Sequence, residues 1–262
     1  MIKNKRVLVT GSNGQLGKTL QKRFLKNKSF DWIFLPKEKL DIVKIDQIHE
    51  AFKKYDPKFC INCAALTDVL KSEKHPSLAH KVNVEGVKNL TEICNEKKSI
   101  MLHISTDYVF DGTKKRPYSE YDKVNPINVY GMTKYLSEKY VTENANFAYV
   151  IRTSWLYSKN FGHNFYRNIL SEASKGNEIK VVKDQYGTPT NTEKVADFII
   201  KIIISLPRKG IYHCAGREVM SWYDFAKKIV RENNYSNKVI PIESKSGMVK
   251  RPPYTPLKNT KI

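Results

Sequence analysis

Tyr130 and Lys134 open and close the run Tyr130-Gly131-Met132-Thr133-Lys134, downstream of Ser105-Thr106-Asp107-Tyr108-Val109-Phe110. On a helix, positions i and i+4 share a face. An ammonium at Lys134 would then lower the phenol pKa of Tyr130 from its ordinary value of about 10. The phenol becomes a usable proton donor, next to a strand-end hydroxyl, at Ser105 or Thr106, able to hold a carbonyl oxygen. This is the chemistry of a ketone reductase. The spacing alone is unspecific, since Tyr-x3-Lys recurs at Tyr135, Tyr223 and Tyr254. Position distinguishes Tyr130, which opens a predicted helix after a strand ending in Ser105 and Thr106.

Those residues need a scaffold, and its first unit is Arg6-Val7-Leu8-Val9-Thr10-Gly11-Ser12-Asn13-Gly14-Gln15-Leu16-Gly17-Lys18. A short apolar run enters three glycines and leaves as an amphipathic run through Leu16, Leu20 and Phe24, which reads as strand, turn and helix. Glycines there permit a tight turn and let backbone N–H groups approach a pyrophosphate at the positive end of a helix. The spacing is G-x-x-G-x-x-G, so the pattern is weak alone; its place directly after the first strand gives it weight.

Apolar and polar runs alternate along the chain as in a parallel, doubly wound α/β sheet. Strands are predicted at 6–10, 31–35, 58–63, 100–105, 147–152, 179–183 and 211–214, and helices at 15–27, 44–55, 76–97, 127–144, 163–175, 192–206 and 221–233. Residues 1–155 with about 179–206 are assigned to a Rossmann-type dinucleotide domain, and about 156–178 with 207–262 to a smaller substrate lobe. The long connections, 107–126 and the segment after about 236, carry Pro117, Pro126, Pro252, Pro253 and Pro256, and loops of that length are usually functional or disordered.

The 262 residues carry 46 basic and 26 acidic side chains, a formal charge of +20. Such a surface attracts nucleic acid or anionic membrane. The lysines are scattered, however, with only short clusters such as Lys3 to Arg6, and no recognition module accompanies them. No specific nucleic-acid partner is expected. No apolar run approaches the roughly 20 residues of a membrane span, and no signal peptide is evident, so a cytoplasmic protein without a membrane partner is expected. Cys60 and Cys63 form C-x2-C, but on a buried strand i and i+3 face opposite ways, and no second pair completes a zinc set. The histidines form no H-E-x-x-H motif, so no metal is expected.

Six segments, taken together and in order, resemble the dTDP-4-dehydrorhamnose reductases, a family of extended short-chain dehydrogenase/reductases. They are Gly11 to Gly17, Asn62 to Thr67, Ser105 to Gly112, Tyr130 to Lys134, Arg152 to Tyr157 and Asp184 to Thr190. The resemblance implies reduction of the C4 ketone of dTDP-4-dehydro-L-rhamnose by NAD(P)H to give dTDP-L-rhamnose, for surface polysaccharide synthesis. It also implies roles: Thr106 to hold the ketone oxygen, Tyr130 to donate the proton, and Lys134 to bind the nicotinamide ribose and tune Tyr130. Gly11, Asn13, Gly14, Gln15 and Leu16 match the pyrophosphate turn. Asp41 and Ile42 match a segment that borders the adenine, and Ala64 and Ala65 would pass beside the ribose and phosphates. Substrate contacts carry over to Val69, Tyr108 and Trp155, although Tyr108 and Trp155 also read as core aromatics.

The second strand ends in Phe34-Leu35-Pro36-Lys37, where an NAD-specific site would place an acid against the ribose 2′-hydroxyl. Lys37, with Lys18, would instead attract a 2′-phosphate, so NADPH is the expected cofactor, with NADH tolerated. The partner is a nucleotide sugar, and a homodimer stays open. The chain departs from the resemblance on the substrate side. Leu70 replaces an acid, the C-terminal motif is altered over Arg251 to Lys258, and a last amphipathic helix is missing before Ile262. A reductase of another 4-keto nucleotide sugar, or a non-catalytic binding subunit on the same fold, therefore stays open. The 4,6-dehydratases of this superfamily set an Asp-Glu pair after the Thr; here Asp107 is followed by Tyr108, as simple reduction requires.

Overall fold

The computed structural model describes residues 5–25, 29–245 and 249–261. The first strand, β1 (Arg6–Thr10), has Val7, Leu8 and Val9 fully buried, as a strand covered on both faces must. It lies between β2 (Asp31–Leu35) and β3 (Phe59–Asn62), and β3 leads on to β4 (Ile100–Thr106), β5 (Ala148–Thr153) and the edge strand Gly210–His213. Every pairing in this six-stranded sheet is parallel. The order runs outward from β1 in both directions, which opens a crevice at the carboxyl ends of β1 and β3 where ligands of such sheets bind.

Two helical layers close the sheet. Helix α1 (Gln15–Phe24) and the helix Thr192–Ser205 seal one face through Leu16, Leu20, Val195, Ile199 and Ile202. The helices Ile45–Tyr55, Gly86–Glu96 and Val129–Asn144 cover the other, around Leu8, Ile48, Phe52, Leu90 and Val141. A third apolar cluster, with Tyr166, Ile169, Ile179, Phe225 and Ile229, forms a separate small lobe.

Most predicted elements are present within a residue or two. The predicted helix 15–27 is described as far as Phe24, and residues 26 and 27 lie outside the described ones. The predicted helix 76–97 is three pieces: Pro76–His80, a π-helical turn Lys81–Glu85, and Gly86–Glu96. The wider turn seats Asn83 inward, where it accepts from the Leu66 amide at 2.8 Å and donates to the Leu66 carbonyl at 3.0 Å. A buried side-chain bond pair thus overrides regular helix and fixes the loop after β3.

Two strands fall on the other side of the division expected from the sequence. Ile179–Val182 pairs with Val239–Ile242, outside the central sheet, while Gly210–His213 is the sheet's edge. The residue pattern cannot distinguish them, because both are short apolar runs and only the pairing partner decides. The short helix Val69–Lys74, capped by Asp68 accepting from the Lys71 amide, was not expected.

The segment 249–261 threads between two parts of the molecule. Tyr118 donates its amide to the Pro256 carbonyl at 2.8 Å, and Tyr186 donates to Pro253 at 2.8 Å. Among the described residues, no helix is long and apolar enough to cross a membrane.

Candidate active site

The turn after β1 is tight for a physical reason. Gly11 has φ +61°, and a Cβ there would meet the Ala64 backbone at 2.7 Å; at Gly17 a Cβ would meet Ser12 at 2.5 Å. Only glycine fits both places. The turn delivers α1 with Gly14 as its N-cap, and this cap has no side-chain hydrogen bond to the first turn. That is the cradle a dinucleotide pyrophosphate requires.

A cleft of about 370 Å³ opens there, lined by Gly14, Gln15, Leu16, Ala64, Ala65, Val69, Thr106, Tyr108, Tyr130, Lys134 and Trp155. The structure thus gathers eleven expected residues from five separate stretches. Gly11 and Asn13 lie in the turn beside it. Lys37 is exposed just beyond β2, and Asp41 accepts from the Val43 amide at 3.1 Å. Ile42 is 2% exposed and packs where a Cβ on Gly86 would stand; these three do not line the cleft.

Thr106 ends β4, and Tyr130 and Lys134 lie in the first turns of the helix Val129–Asn144. Asn128 caps that helix by accepting from the Gly131 amide at 2.8 Å. Gly131 lets the helix approach the loop, since a Cβ there would strike the Tyr108 carbonyl at 2.2 Å. The rings of Tyr108 and Tyr130 then meet edge to face, with centroids 5.7 Å apart.

The expected tuning of Tyr130 by Lys134 is not what this arrangement does. Burial pushes the Tyr130 phenol above its ordinary value, the Thr106 hydroxyl pulls it partly back, and Asp107 and Tyr108 raise it. The Lys134 ammonium instead donates to the Ile104 carbonyl at 2.8 Å and lies 3.2 Å from His103 Nε2. Burial pulls Lys134 down to about 8, against Glu138, and holds the His103 imidazole well below its usual range. One turn further, Glu138 is paired in full burial with Arg152 at 2.7 Å and bonded by Ser105.

Several contributors escaped the sequence reading. Asp107 accepts from Thr106, Ser154 and Thr255. Trp222, from the lobe, stacks on Trp155 with centroids 3.4 Å apart and planes 1° apart. Trp155 has φ +47°, a strained left-handed backbone for a bulky residue. Its indole fills the space beside Gly187, where a Cβ would come within 2.3 Å. The Gly187 of Tyr186-Gly187-Thr188-Pro189 was the available signal for that contact. Trp222 also borders a larger cleft of about 1340 Å³ in the lobe, lined by Asn168, Val181, Lys250 and Arg251 among others. No metal-holding cluster of His, Cys, Asp or Glu occurs among the described residues.

A parallel sheet with a glycine turn at its switch point, and a Tyr and Lys one helical turn apart facing a Thr, define the short-chain dehydrogenase/reductase class. Residues 5–262 match the model of the RmlD substrate binding domain, and the chain belongs to that family. It is similar to a dTDP-4-dehydrorhamnose reductase of Aggregatibacter actinomycetemcomitans, 38% identical over 87% of this chain and 79% of the relative. It is also similar to the spore coat polysaccharide biosynthesis protein SpsK of Bacillus subtilis, 34% identical over 98% and 90% of the two chains. Among solved structures, it resembles the dTDP-4-dehydrorhamnose reductase of Bacillus anthracis in complex with NADP. That likeness has a TM-score of 0.94 at 36% identity, over 98% of this chain and 91% of the other.

Proposed function

We infer that this protein reduces the C4 ketone of dTDP-4-dehydro-L-rhamnose with NADPH, giving dTDP-L-rhamnose. The observation that carries the reading is that Thr106, Tyr130 and Lys134 line one cleft with the glycine turn at Gly14 and Gln15. Bound in that cradle, the dinucleotide supplies a hydride. The N-terminus of α1 holds its pyrophosphate, and Lys134 holds its ribose and contributes a positive charge beside the reacting centre. Tyr130 gives its phenolic proton to the oxygen of the ketone as the negative charge develops there, and Thr106 hydrogen-bonds the same oxygen. Trp155 and Tyr108 flank the sugar, and Val69 covers the loop side.

The lysine at position 37, with no acid at the end of β2, favours NADPH over NADH. A soluble cofactor and a nucleotide-sugar substrate support a cytoplasmic reaction. A second reading, a related 4-ketosugar as substrate, is favoured by Leu70. This residue stands 49% exposed on the short helix Val69–Lys74, where an acidic neighbour of the sugar was expected. Offering dTDP-4-dehydro-L-rhamnose and NADPH, while following cofactor absorbance and the sugar product, tests both. Formation of dTDP-L-rhamnose supports the first reading; nucleotide-sugar binding without turnover overturns it.

A further inference from the structure

The hydrogen bonds of Asp107 set a condition on Thr106. Asp107 is 2% exposed. Its Oδ1 lies 3.1 Å from the Thr106 hydroxyl, and its Oδ2 lies 3.0 Å from Ser154 Oγ and 2.6 Å from Thr255 Oγ1. An ionised carboxylate only accepts, so each hydroxyl must turn its single hydrogen toward it. The Thr106 oxygen already accepts from the Tyr108 amide at 3.2 Å. With Asp107 ionised, the Thr106 hydrogen is drawn to Oδ1 and away from a ketone. With a proton on Oδ1, the bond reverses. The carboxylic O–H donates to Thr106 Oγ1, the Thr106 hydrogen turns into the cleft beside Tyr130, and Oδ2 goes on accepting from Ser154 and Thr255.

We propose that Asp107 is a positioning residue whose neutral carboxylic acid, not its carboxylate, aims the Thr106 hydrogen at the substrate ketone. This rests on the reductase reading above and deepens it. Burial supports it by pushing the Asp107 carboxyl up to about 6, against the opposing pull of Thr255, Ser154 and Thr106. The groups facing it from each packed element are few. Tyr108 stands in its own turn and Tyr130 on the helix Val129–Asn144, and burial raises both phenols. Ser154 follows β5, and the C-terminal segment offers Thr255, while Arg251 acts on Tyr108. The acid form is lost as pH rises through about 6, so the Thr106 contribution to turnover fades over the same range.

The test is the pH profile of kcat/KM with NADPH and dTDP-4-dehydro-L-rhamnose. Wild type is expected to lose rate in a first step near 6, separate from a later one near 8 that belongs to Lys134. In Asp107→Asn the amide donates to Thr106 and accepts from Thr255 at every pH. The first step should vanish, and the variant should exceed wild type by about tenfold one pH unit above that step, where only about a tenth of Asp107 keeps its proton, with a ceiling at the worth of an oxyanion donor, about 10² to 10³. A variant that keeps the first step, or that is slower at every pH while binding NADPH normally, overturns the proposal. Thr255→Val, which removes one bond favouring the carboxylate, should move the first step to higher pH and decides the matter if Asp107→Asn does not fold. A wild type without turnover would refute the assigned substrate, not the arrangement of Asp107 and Thr106. Asp107 is then followed by infrared spectroscopy through the carboxylic C=O band that Asp107→Asn lacks. Loss of that band near 6 supports the proposal, and ionisation at the ordinary aspartate value of about 4 overturns it.

Discussion

The Lys134 ammonium donates to the carbonyl oxygen of Ile104, at 2.8 Å. The bond ties the helix that carries Tyr130 to the end of β4, which carries Thr106. Lys134 therefore does two things at once. It fixes the distance between Tyr130 and Thr106, and it keeps one positive charge at the floor of a cleft whose burial disfavours that charge.

The charge should be lost within reach of ordinary buffers. Burial pulls Lys134 down to about 8, so the ammonium is present below that value and disappears as pH rises through it. We expect kcat/KM to fall above about 8, and Lys134→Met to lack that fall at a rate lower by about 10² or more. A wild-type profile that stays level into the range of free lysine would show that the ammonium is not used.

Tyr130→Phe removes the phenolic proton and little else. Loss of a general acid typically costs about 10² to 10⁴ in rate. We expect turnover to drop by that amount, with NADPH affinity, measured by fluorescence titration, unchanged within a few-fold. Turnover near the wild-type level would assign the proton to another group.

Cofactor choice is testable at a residue outside the cleft. Lys37 is exposed beyond β2, and an acid there would repel a 2′-phosphate while accepting from a 2′-hydroxyl. Lys37→Glu should weaken NADPH by about tenfold or more and leave NADH as good or better. Equal losses for both cofactors would remove Lys37 from the site.

The parts of this architecture legible in the sequence are those carried by local pattern. The glycine turn, five of the six central strands and the Thr106, Tyr130 and Lys134 set each follow from residue type and neighbours. What was not legible is made by contacts between distant segments. Thr255 reaches Asp107 across 148 positions, and Trp222 finds Trp155 only because the lobe folds over the sheet. The strand Ile179–Val182 had the right composition for the central sheet, and its pairing with Val239–Ile242 was a choice between equivalent partners. The i, i+4 geometry of Tyr130 and Lys134 was correct, but the electrostatic effect expected from it was not. A buried carbonyl, the one at Ile104, competes for the ammonium.

The Arg152–Glu138 pair has side chains only 3% and 2% exposed, so removing one partner strands the other's charge in the core. Arg152→Met should destabilise the fold by about 3–5 kcal/mol, read from urea unfolding. The double variant Arg152→Met with Glu138→Leu should recover much of that loss. A single variant as stable as wild type would mean that the pair is solvated.

The face-to-face seating of Trp155 on Trp222 also has an optical consequence. Two indoles whose centroids are 3.4 Å apart and whose planes are parallel within 1° couple their electronic transitions and quench each other's emission. The molecule therefore carries a built-in chromophore pair at the boundary between the cleft under the sheet and the larger one in the lobe. Any ligand that shifts one ring against the other changes the near-ultraviolet dichroism and the emission together, so occupancy of the site can be followed with no label attached.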